Sequence, residues 1–204
     1  YNEEDMRIII SPAKKMKIDT DSLPYKSLPQ FIDEAEVLMK CLQQKDYTEL
    51  KELWGCNDSI ARLNFQRLQG MDLRCNLTPA ILSFQGIQYQ YMAAGVFENR
   101  HYDYIQEHLR ILSGFYGLLR PFDGVTPYRL EMQARLKVGN VKNLYAFWAD
   151  KLAGQLCLET NLIINLASKE YSKAVYPYLP KTVSFITCTF GELKGEKIIA
   201  KGTP

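Results

Sequence analysis

Two of the polar segments that could do chemistry follow predicted strands. Ser11, Lys14 and Lys15 come directly after the apolar run Arg7–Ile10, which is rich in β-branched residues and predicts a buried strand. A hydroxyl and ammonium groups at a strand end suit an anionic group, because open sheets bind ligands there. A solvated turn that carries lysines explains the same residues. The segment lacks the glycines of a nucleoside triphosphate loop.

The second segment is Asn165 and Ser168, at the end of the predicted strand Leu162–Leu166. Ser168 is a natural N-cap for a following helix, which is a complete structural explanation. Asn165, however, closes an otherwise apolar strand, and a polar group there needs a partner or a ligand. Helix capping and ligand binding therefore both stay open for this segment.

A third polar pair, Arg129 and Glu131, lies in the period-two pattern of Tyr128–Arg135, which predicts an extended strand with one polar face. Two residues apart on such a strand, the two side chains share a face. They can form an ordinary ion pair or an anion clamp in which the carboxylate orients the guanidinium. Glu131 can alternatively serve as a general base.

The fourth candidate is a pair of glycines, Gly114 and Gly117, followed by Arg120. They interrupt the amphipathic pattern of residues His101–Leu119, which predicts a long helix. Glycine is unfavourable inside a helix, so a turn is expected between helical segments. Such a hairpin can aim backbone N–H groups at a phosphate, with Arg120 adding charge, although a simple helix C-cap fits equally well.

Composition narrows the classes of protein that remain. The 204 residues carry a net charge of +2 and five cysteines at scattered positions, a pattern typical of reduced thiols without a structural metal. We predict no metal site and no cofactor. No apolar run reaches the length of a membrane span, and the acidic N-terminus does not resemble a secretory signal, so a cytoplasmic protein is expected.

The elements alternate without a regular βαβ order, which favours an α+β fold with a mixed sheet flanked by helices. We expect one domain over residues 1–204, with 1–5 an added or ragged start. Further predicted strands are Gly86–Met92 and a hairpin formed by Lys181–Phe190 and Glu196–Ala200. Helices are predicted over Gln30–Gln43, Tyr47–Leu53, Asp58–Leu68 and Asn143–Cys157, and after Ser168; Pro79–Phe84 suits either a helix or a strand.

Five segments in this order resemble the bacterial YaaA family of peroxide stress proteins. They read IISPAK, LSGFYGLLRP, PYRLEM, LYxFW and INLASxEY, at Ile9–Lys14, Leu112–Pro121, Pro127–Met132, Leu144–Trp148 and Ile164–Tyr171. The resemblance runs from Met6 to Pro204, and it implies that a family C-terminal segment is absent after residue 204. It also implies an α+β fold with a helix-hairpin-helix element, which we assign to Gly114, Gly117 and Arg120.

The resemblance implies a function in the oxidative-stress response. A family member is expected to bind double-stranded DNA in a basic cleft, independently of sequence and through phosphate contacts, and to help limit free intracellular iron. The alternative is an enzyme that acts on a small anionic ligand, phosphorylated or nucleoside-like. This alternative requires the polar side chains at the strand ends to converge, so we expect Lys14, Arg129, Glu131 and Ser168 to line a single cleft.

Overall fold

The computed structural model describes residues 6–188, 191–194 and 197–200. Its strands are β1 (Met6–Ile10), β2 (Lys15–Met16), β3 (Thr78–Pro79), β4 (Phe84–Gln85), β5 (Leu109–Ser113), β6 (Gly117–Leu119), β7 (Gly124–Val125), β8 (Leu162–Asn165), β9 (Ser184–Thr187), β10 (Gly191–Lys194) and β11 (Lys197–Ala200). Its α-helices are α1 (Ile32–Gln43), α2 (Tyr47–Trp54), α3 (Asp58–Gln69), α4 (Ala80–Ser83), α5 (Ile87–Met92), α6 (Asn99–His108), α7 (Leu144–Trp148), α8 (Lys151–Glu159) and α9 (Lys169–Ser172).

The core of the molecule is a five-stranded mixed sheet in the order β6-β5-β1-β8-β9. Strand β1 pairs in parallel with both β5 and β8, and β8 pairs in parallel with β9. Strand β6 runs antiparallel to β5. The carboxyl ends of the four parallel strands therefore lie at one edge of the sheet. The predicted α+β class with a mixed sheet flanked by helices is confirmed.

The helices predicted from apolar spacing near the N-terminus are confirmed as α1, α2 and α3. Helix α2 begins with a capping box, in which the Asp46 side chain accepts from the Glu49 N–H and the Glu49 carboxylate accepts from the Asp46 N–H. It ends at Gly55, whose φ of 53° is the left-handed geometry of a helix C-cap. Asn57 caps α3 by accepting from the Ile60 N–H at 2.9 Å.

The long helix expected over His101–Leu119 is wrong beyond residue 108. Helix α6 ends at His108, and the next five residues form β5, which lies between β1 and β6 and is buried along its whole length. An apolar strand buried on both faces has no period-two signal to distinguish it from a helix. The apolar stripe across this boundary therefore imitated one continuous amphipathic helix.

The helix-hairpin-helix assignment is also wrong, because Gly114 and Gly117 lie at a turn between the antiparallel strands β5 and β6. A Cβ atom on Gly114 would lie 2.6 Å from the Leu130 carbonyl oxygen. Gly117 has a φ of +74°, and a Cβ there would lie 2.7 Å from the Trp148 ring. These glycines permit a close approach and a left-handed turn.

Two predicted strands are wrong. Gly86–Met92 forms the helix α5, because Gly86 is extended and the helix begins directly after it. Tyr128–Arg135 pairs with no strand in the described part of the chain. Its alternation nevertheless holds: Tyr128, Leu130 and Met132 are buried, and the residues between them are more exposed.

The remaining elements agree with the sequence in part. Leu162–Leu166 contains β8, and the segment left open at Pro79–Phe84 contains the helix α4. The helix predicted over Asn143–Cys157 is divided into α7 and α8 at Ala149, whose φ is +44°.

The C-terminal hairpin is displaced from its predicted position. Strand β9, within the predicted first strand Lys181–Phe190, joins the central sheet, and the hairpin is formed by β10 and β11. Residues 189–190 and 195–196 of the predicted hairpin, and the expected ragged start at 1–5, lie outside the described residues. None of the helices in the described ranges has the length and apolar character needed to cross a membrane.

Candidate functional site

A cavity of about 790 Å³ lies between α2 and the extended segment after β7. Its walls carry a mixture of cationic, acidic and apolar side chains, which is typical of sites for polar small molecules. The lining residues are Lys14, Lys45, Glu49, Glu52, Leu53, Trp54, Gly55, Arg129, Glu131, Gln133, Ala134 and Arg135. Four of these are cations and three are carboxylates.

The period-two alternation of Tyr128–Met132 orients two of the lining residues. The buried side chains Tyr128, Leu130 and Met132 anchor the segment in the core, so Arg129 and Glu131 project from its other face into the cavity wall. The Leu130 carbonyl passes over Gly114, at the end of β5. The absence of a side chain at Gly114 thus sets how closely this wall approaches the sheet.

Glu131 lies between Lys14 and Arg129, the two cations that were predicted to share a cleft with it. One carboxylate oxygen is 2.9 Å from Lys14 Nζ, and the other accepts from Arg129 Nη2 at 3.3 Å. Arg129 and Glu131 are largely buried, whereas 65% of the Lys14 side chain is exposed. The pair therefore forms the inner wall of the cavity, and Lys14 stands at its mouth.

The expectation that Ser168 lines the same cleft is wrong, since the described residues of the cavity wall do not include it. Its N–H donates to Ser11 Oγ at 2.9 Å, which joins the loops after β1 and β8. Asn165 is held in a similar way, because its Oδ1 accepts from the Ala167 N–H and its Nδ2 donates to Thr187 Oγ1. Internal hydrogen bonds thus account for the Ser11 hydroxyl and the Asn165 amide, whereas Ser168 lies at the N-cap of α9 without a side-chain capping bond.

The remaining predicted site residues lie elsewhere. Lys15 is exposed in β2, which pairs with β4, and it is not among the described lining residues. Arg120 lines a smaller cavity of about 250 Å³, together with Arg110, Asp123 and Glu159. Gly114 and Gly117 lie at the turn between β5 and β6, where the lack of a side chain permits close packing.

One titratable group near the cavity was not anticipated as such. Glu170 at the start of α9 accepts from the Gln133 N–H at 3.2 Å and so fixes the end of the Arg129–Gln133 wall. Burial raises the pKa of the Glu170 carboxyl above its usual range, and the negative charge of Glu131 raises it further.

No sequence signal singles out the residues of the α2 wall. Lys45, Glu49 and Glu52 are typical of a solvated helix face, and Trp54 is typical of a core residue. Their role as cavity lining depends on packing against a segment about 75 residues later in the chain, which local spacing does not report.

The part of the chain that the structure describes contains no assembled metal site and no disulfide. The five cysteine thiols are free. No group of three or more His, Cys, Asp or Glu side chains in the described ranges could hold a metal ion.

The family model for the peroxide stress protein YaaA matches residues 6–203. This chain belongs to the YaaA family of peroxide stress proteins. The match covers all of the residues that line the cavity. The resemblance seen in the five sequence segments is therefore confirmed at the level of the family.

Relatives in the YaaA family carry the name UPF0246 protein. The chain is 56% identical over 198 residues to one from Lachnoclostridium phytofermentans, covering 97% of this chain and 78% of the relative. It is 52% identical to one from Pediococcus pentosaceus, covering 98% and 79%, and 54% identical to one from Lactiplantibacillus plantarum, covering 97% and 80%.

Proposed function

We propose that this peroxide stress protein binds a small anionic molecule, phosphorylated or nucleoside-like, in the cavity between α2 and the Arg129–Arg135 wall, and acts on it. The observation that carries the proposal is the meeting of Lys14 and Arg129 at the single carboxylate of Glu131. Cations that face a cavity of this size favour an anion of small-molecule dimensions, because such sites typically enclose 300–1,000 Å³.

The carboxylates of the cavity indicate which polar groups the uncharged part of the ligand carries. Glu49, Glu52 and Glu131 are acceptors when ionised, and they suit the hydroxyl or amino donors of a sugar or a base. A reaction on the ligand would use one of these carboxylates for proton transfer, since proton transfer requires a side chain held in position beside the reacting group. We assign this role to Glu131, which is the carboxylate already held by both cations.

Calorimetric titration tests the binding proposal. We expect the protein to bind ribose 5-phosphate or a nucleoside monophosphate, and Lys14→Ala to weaken binding up to about fivefold, because a charged contact of an exposed side chain contributes up to about 1 kcal/mol. Lys26→Ala is the matched control, since Lys26 is half-exposed, 3.8 Å from Asp103 and outside the cavity. Equal affinity in wild type and Lys14→Ala would contradict the proposal.

A second proposal is that the protein binds double-stranded DNA in the cytoplasm, independently of sequence, and helps to limit free iron. The exposure of Lys14 at the cavity mouth and of Lys15 in β2 supports phosphate contacts. Affinity should fall steeply with salt, and Lys14→Ala with Lys15→Ala should reduce the slope of log K against log [salt] by roughly one per contact.

An unchanged slope in that double variant would remove both lysines from a DNA interface. Calorimetry separates the two proposals. A small-molecule site retains nucleoside monophosphate binding at salt concentrations that abolish DNA binding, because a few enclosed contacts are screened less than an extended phosphate backbone.

A further inference from the structure

Two buried nitrogen atoms in the cavity wall have no hydrogen-bond partner in the described part of the chain. They are Nε1 of the Trp54 indole and Nε of the Arg129 guanidinium. Trp54 is 6% exposed, and the Arg129 side chain is 10% exposed. A buried donor without an acceptor is costly, because it has lost its bond to water, so such a pair in a native protein calls for a missing partner.

The two residues are neighbours in the wall. Arg129 Nη2 lies 3.5 Å from the Trp54 carbonyl oxygen, which joins the end of α2 to the extended segment. The same Nη2 donates to Glu131, whereas Nε of the same guanidinium has no acceptor in the described part of the chain. Indole Nε1 and guanidinium Nε are donors only, and the missing partner must therefore be an acceptor.

The charges of the wall indicate which acceptor. Lys14, Lys45, Arg129 and Arg135 outnumber the three carboxylates of the cavity by one. A neutral carbonyl would leave this excess uncompensated, whereas an oxyanion balances it and strengthens each hydrogen bond. An arginine beside an N–H donor is an arrangement well suited to a carboxylate or a phosphate.

We infer that Trp54 Nε1 and Arg129 Nε together hold the oxyanion group, a phosphate or a carboxylate, of the ligand at the inner wall of the cavity. The inference rests on the proposed small-molecule function and assigns the position of the ligand's charged group. Lys14, at the mouth, then neutralises the remaining charge. The hydroxyl or amino groups of the ligand lie toward Glu49 and Glu52 on the α2 wall.

Nuclear magnetic resonance of the full chain tests this assignment without a substitution. The protein contains two tryptophans, and the second, Trp148, already donates from Nε1 to the Gly114 carbonyl at 3.0 Å. In separate titrations with inorganic phosphate and with acetate, we expect the Trp54 indole N–H signal to move downfield. The Trp148 signal should stay in place. The anion that gives the larger shift at equal concentration identifies the phosphate or the carboxylate source.

Calorimetry with the same two anions tests the donors. Trp54→Phe keeps the aromatic ring but removes the N–H, and Arg129→Lys keeps the charge but removes Nε–H. Each should weaken binding about tenfold. Arg62→Lys, which alters an exposed arginine of α3 paired with Asp58, is the matched control and should bind as the wild type does.

The outcomes separate this inference from the proposed function. If the Trp54 signal does not move and Trp54→Phe binds as well as the wild type, while Lys14→Ala is weakened, the oxyanion position is wrong and the cavity remains a ligand site. If neither phosphate nor acetate nor any nucleoside monophosphate binds the wild-type protein, the proposed function and this inference both fall. Should a variant not fold, the indole signals of the wild type decide alone.

Discussion

Arginine clusters occur at both ends of the central parallel strands, and they differ in how completely their donors are used. At the amino end, Arg110 Nε and Nη2 contact Glu159 at 2.8 and 2.7 Å, and its Nη1 donates to three backbone carbonyls. At the carboxyl end, Arg129 Nη2 makes longer contacts, and its Nε is unpartnered within the described residues.

The difference indicates which arginine supports the fold and which can recognise a ligand. Arg7 shares Glu159 with Arg110 and also pairs with Glu107 at 2.9 Å, so two carboxylates neutralise two largely buried cations. In this cluster every guanidinium nitrogen of Arg7 and Arg110 has a protein partner within the described residues. An incompletely paired arginine in a cavity keeps donors for a ligand.

The largest effect is expected from Glu159→Gln. The substitution keeps the size of the side chain but leaves the buried Arg110 guanidinium without its counter-charge and Arg7 with Glu107 alone, which costs about 3 kcal/mol in the free energy of unfolding. Urea unfolding at neutral pH measures this loss, and anion binding at the other end of the sheet should not change. A loss below about 1 kcal/mol would show that the amino-end cluster does not stabilise the fold as its geometry indicates.

Gly114→Ala should destabilise the protein by about 1–3 kcal/mol, because its Cβ would lie 2.6 Å from the backbone oxygen of Leu130 and force the segment away. It should also weaken ligand binding, since the displaced segment carries Arg129 and Glu131. Gly70→Ala is a control for the added methyl group alone, because a Cβ there would meet nothing within 4 Å and the φ of Gly70 is −102°. Unfolding and calorimetry together check both effects, and unchanged ligand binding in Gly114→Ala would show that the wall does not depend on this approach.

Glu131→Gln is the counterpart of Glu159→Gln at the carboxyl end, with an expected effect of the opposite kind. Its ion pairs include the well-exposed Lys14, so the stability loss should stay near 1 kcal/mol or below. Removing the carboxylate frees both cations, and phosphate affinity should rise several-fold by calorimetry. Weaker phosphate binding would instead mean that Glu131 is needed to orient Arg129.

The smallest expected effect is on the pH dependence of the free energy of unfolding, to which Glu159 and Glu170 contribute with opposite signs. Burial opposes ionisation of Glu159, but hydrogen bonds from Gln155 and the two arginines outweigh it and lower its pKa. The stability that ionised Glu159 contributes to the fold is present above a pH of about 4.3 and is lost as the pH falls through the lowered pKa. The pKa of Glu170 is raised, so its contribution is present below about 4.3 and is lost as the pH rises through that raised value.

Urea midpoints between pH 3 and 7 check these opposite signs. Glu170→Gln should remove a small decline in stability with rising pH, and Glu159→Gln should remove part of the acid-induced loss. The same slope in wild type and Glu170→Gln would place Glu170 outside this linkage.

The sequence predicted those elements whose signals are local. Strands β1 and β8 and helices α1 to α3 follow from short apolar runs, helical spacing and caps such as Asn57. Strand β5 did not follow, because its parallel partner β1 lies far earlier in the chain and local spacing does not report that pairing. The fold class can therefore be predicted from the sequence, whereas the end of α6 at His108 depends on tertiary contacts.

The residues of the candidate site were likewise predicted only where the signal is local in the sequence. Alternation placed Arg129 and Glu131 on one face, although no partner strand for the segment exists in the described chain. Lys14 was found because it follows a strand end. Trp54 was not, since its importance depends on a partner 75 residues later and on an indole N–H that stays unpaired.

The two faces of the Tyr128–Met132 segment separate the requirements of folding from those of recognition. Tyr128, Leu130 and Met132 hold the backbone in the core, and no β-ladder in the described chain constrains the positions between them. Replacements at 129 and 131 therefore change the charge offered to a ligand while the scaffold persists. A protein built this way can acquire a different substrate preference through one or two substitutions, without first acquiring a new fold.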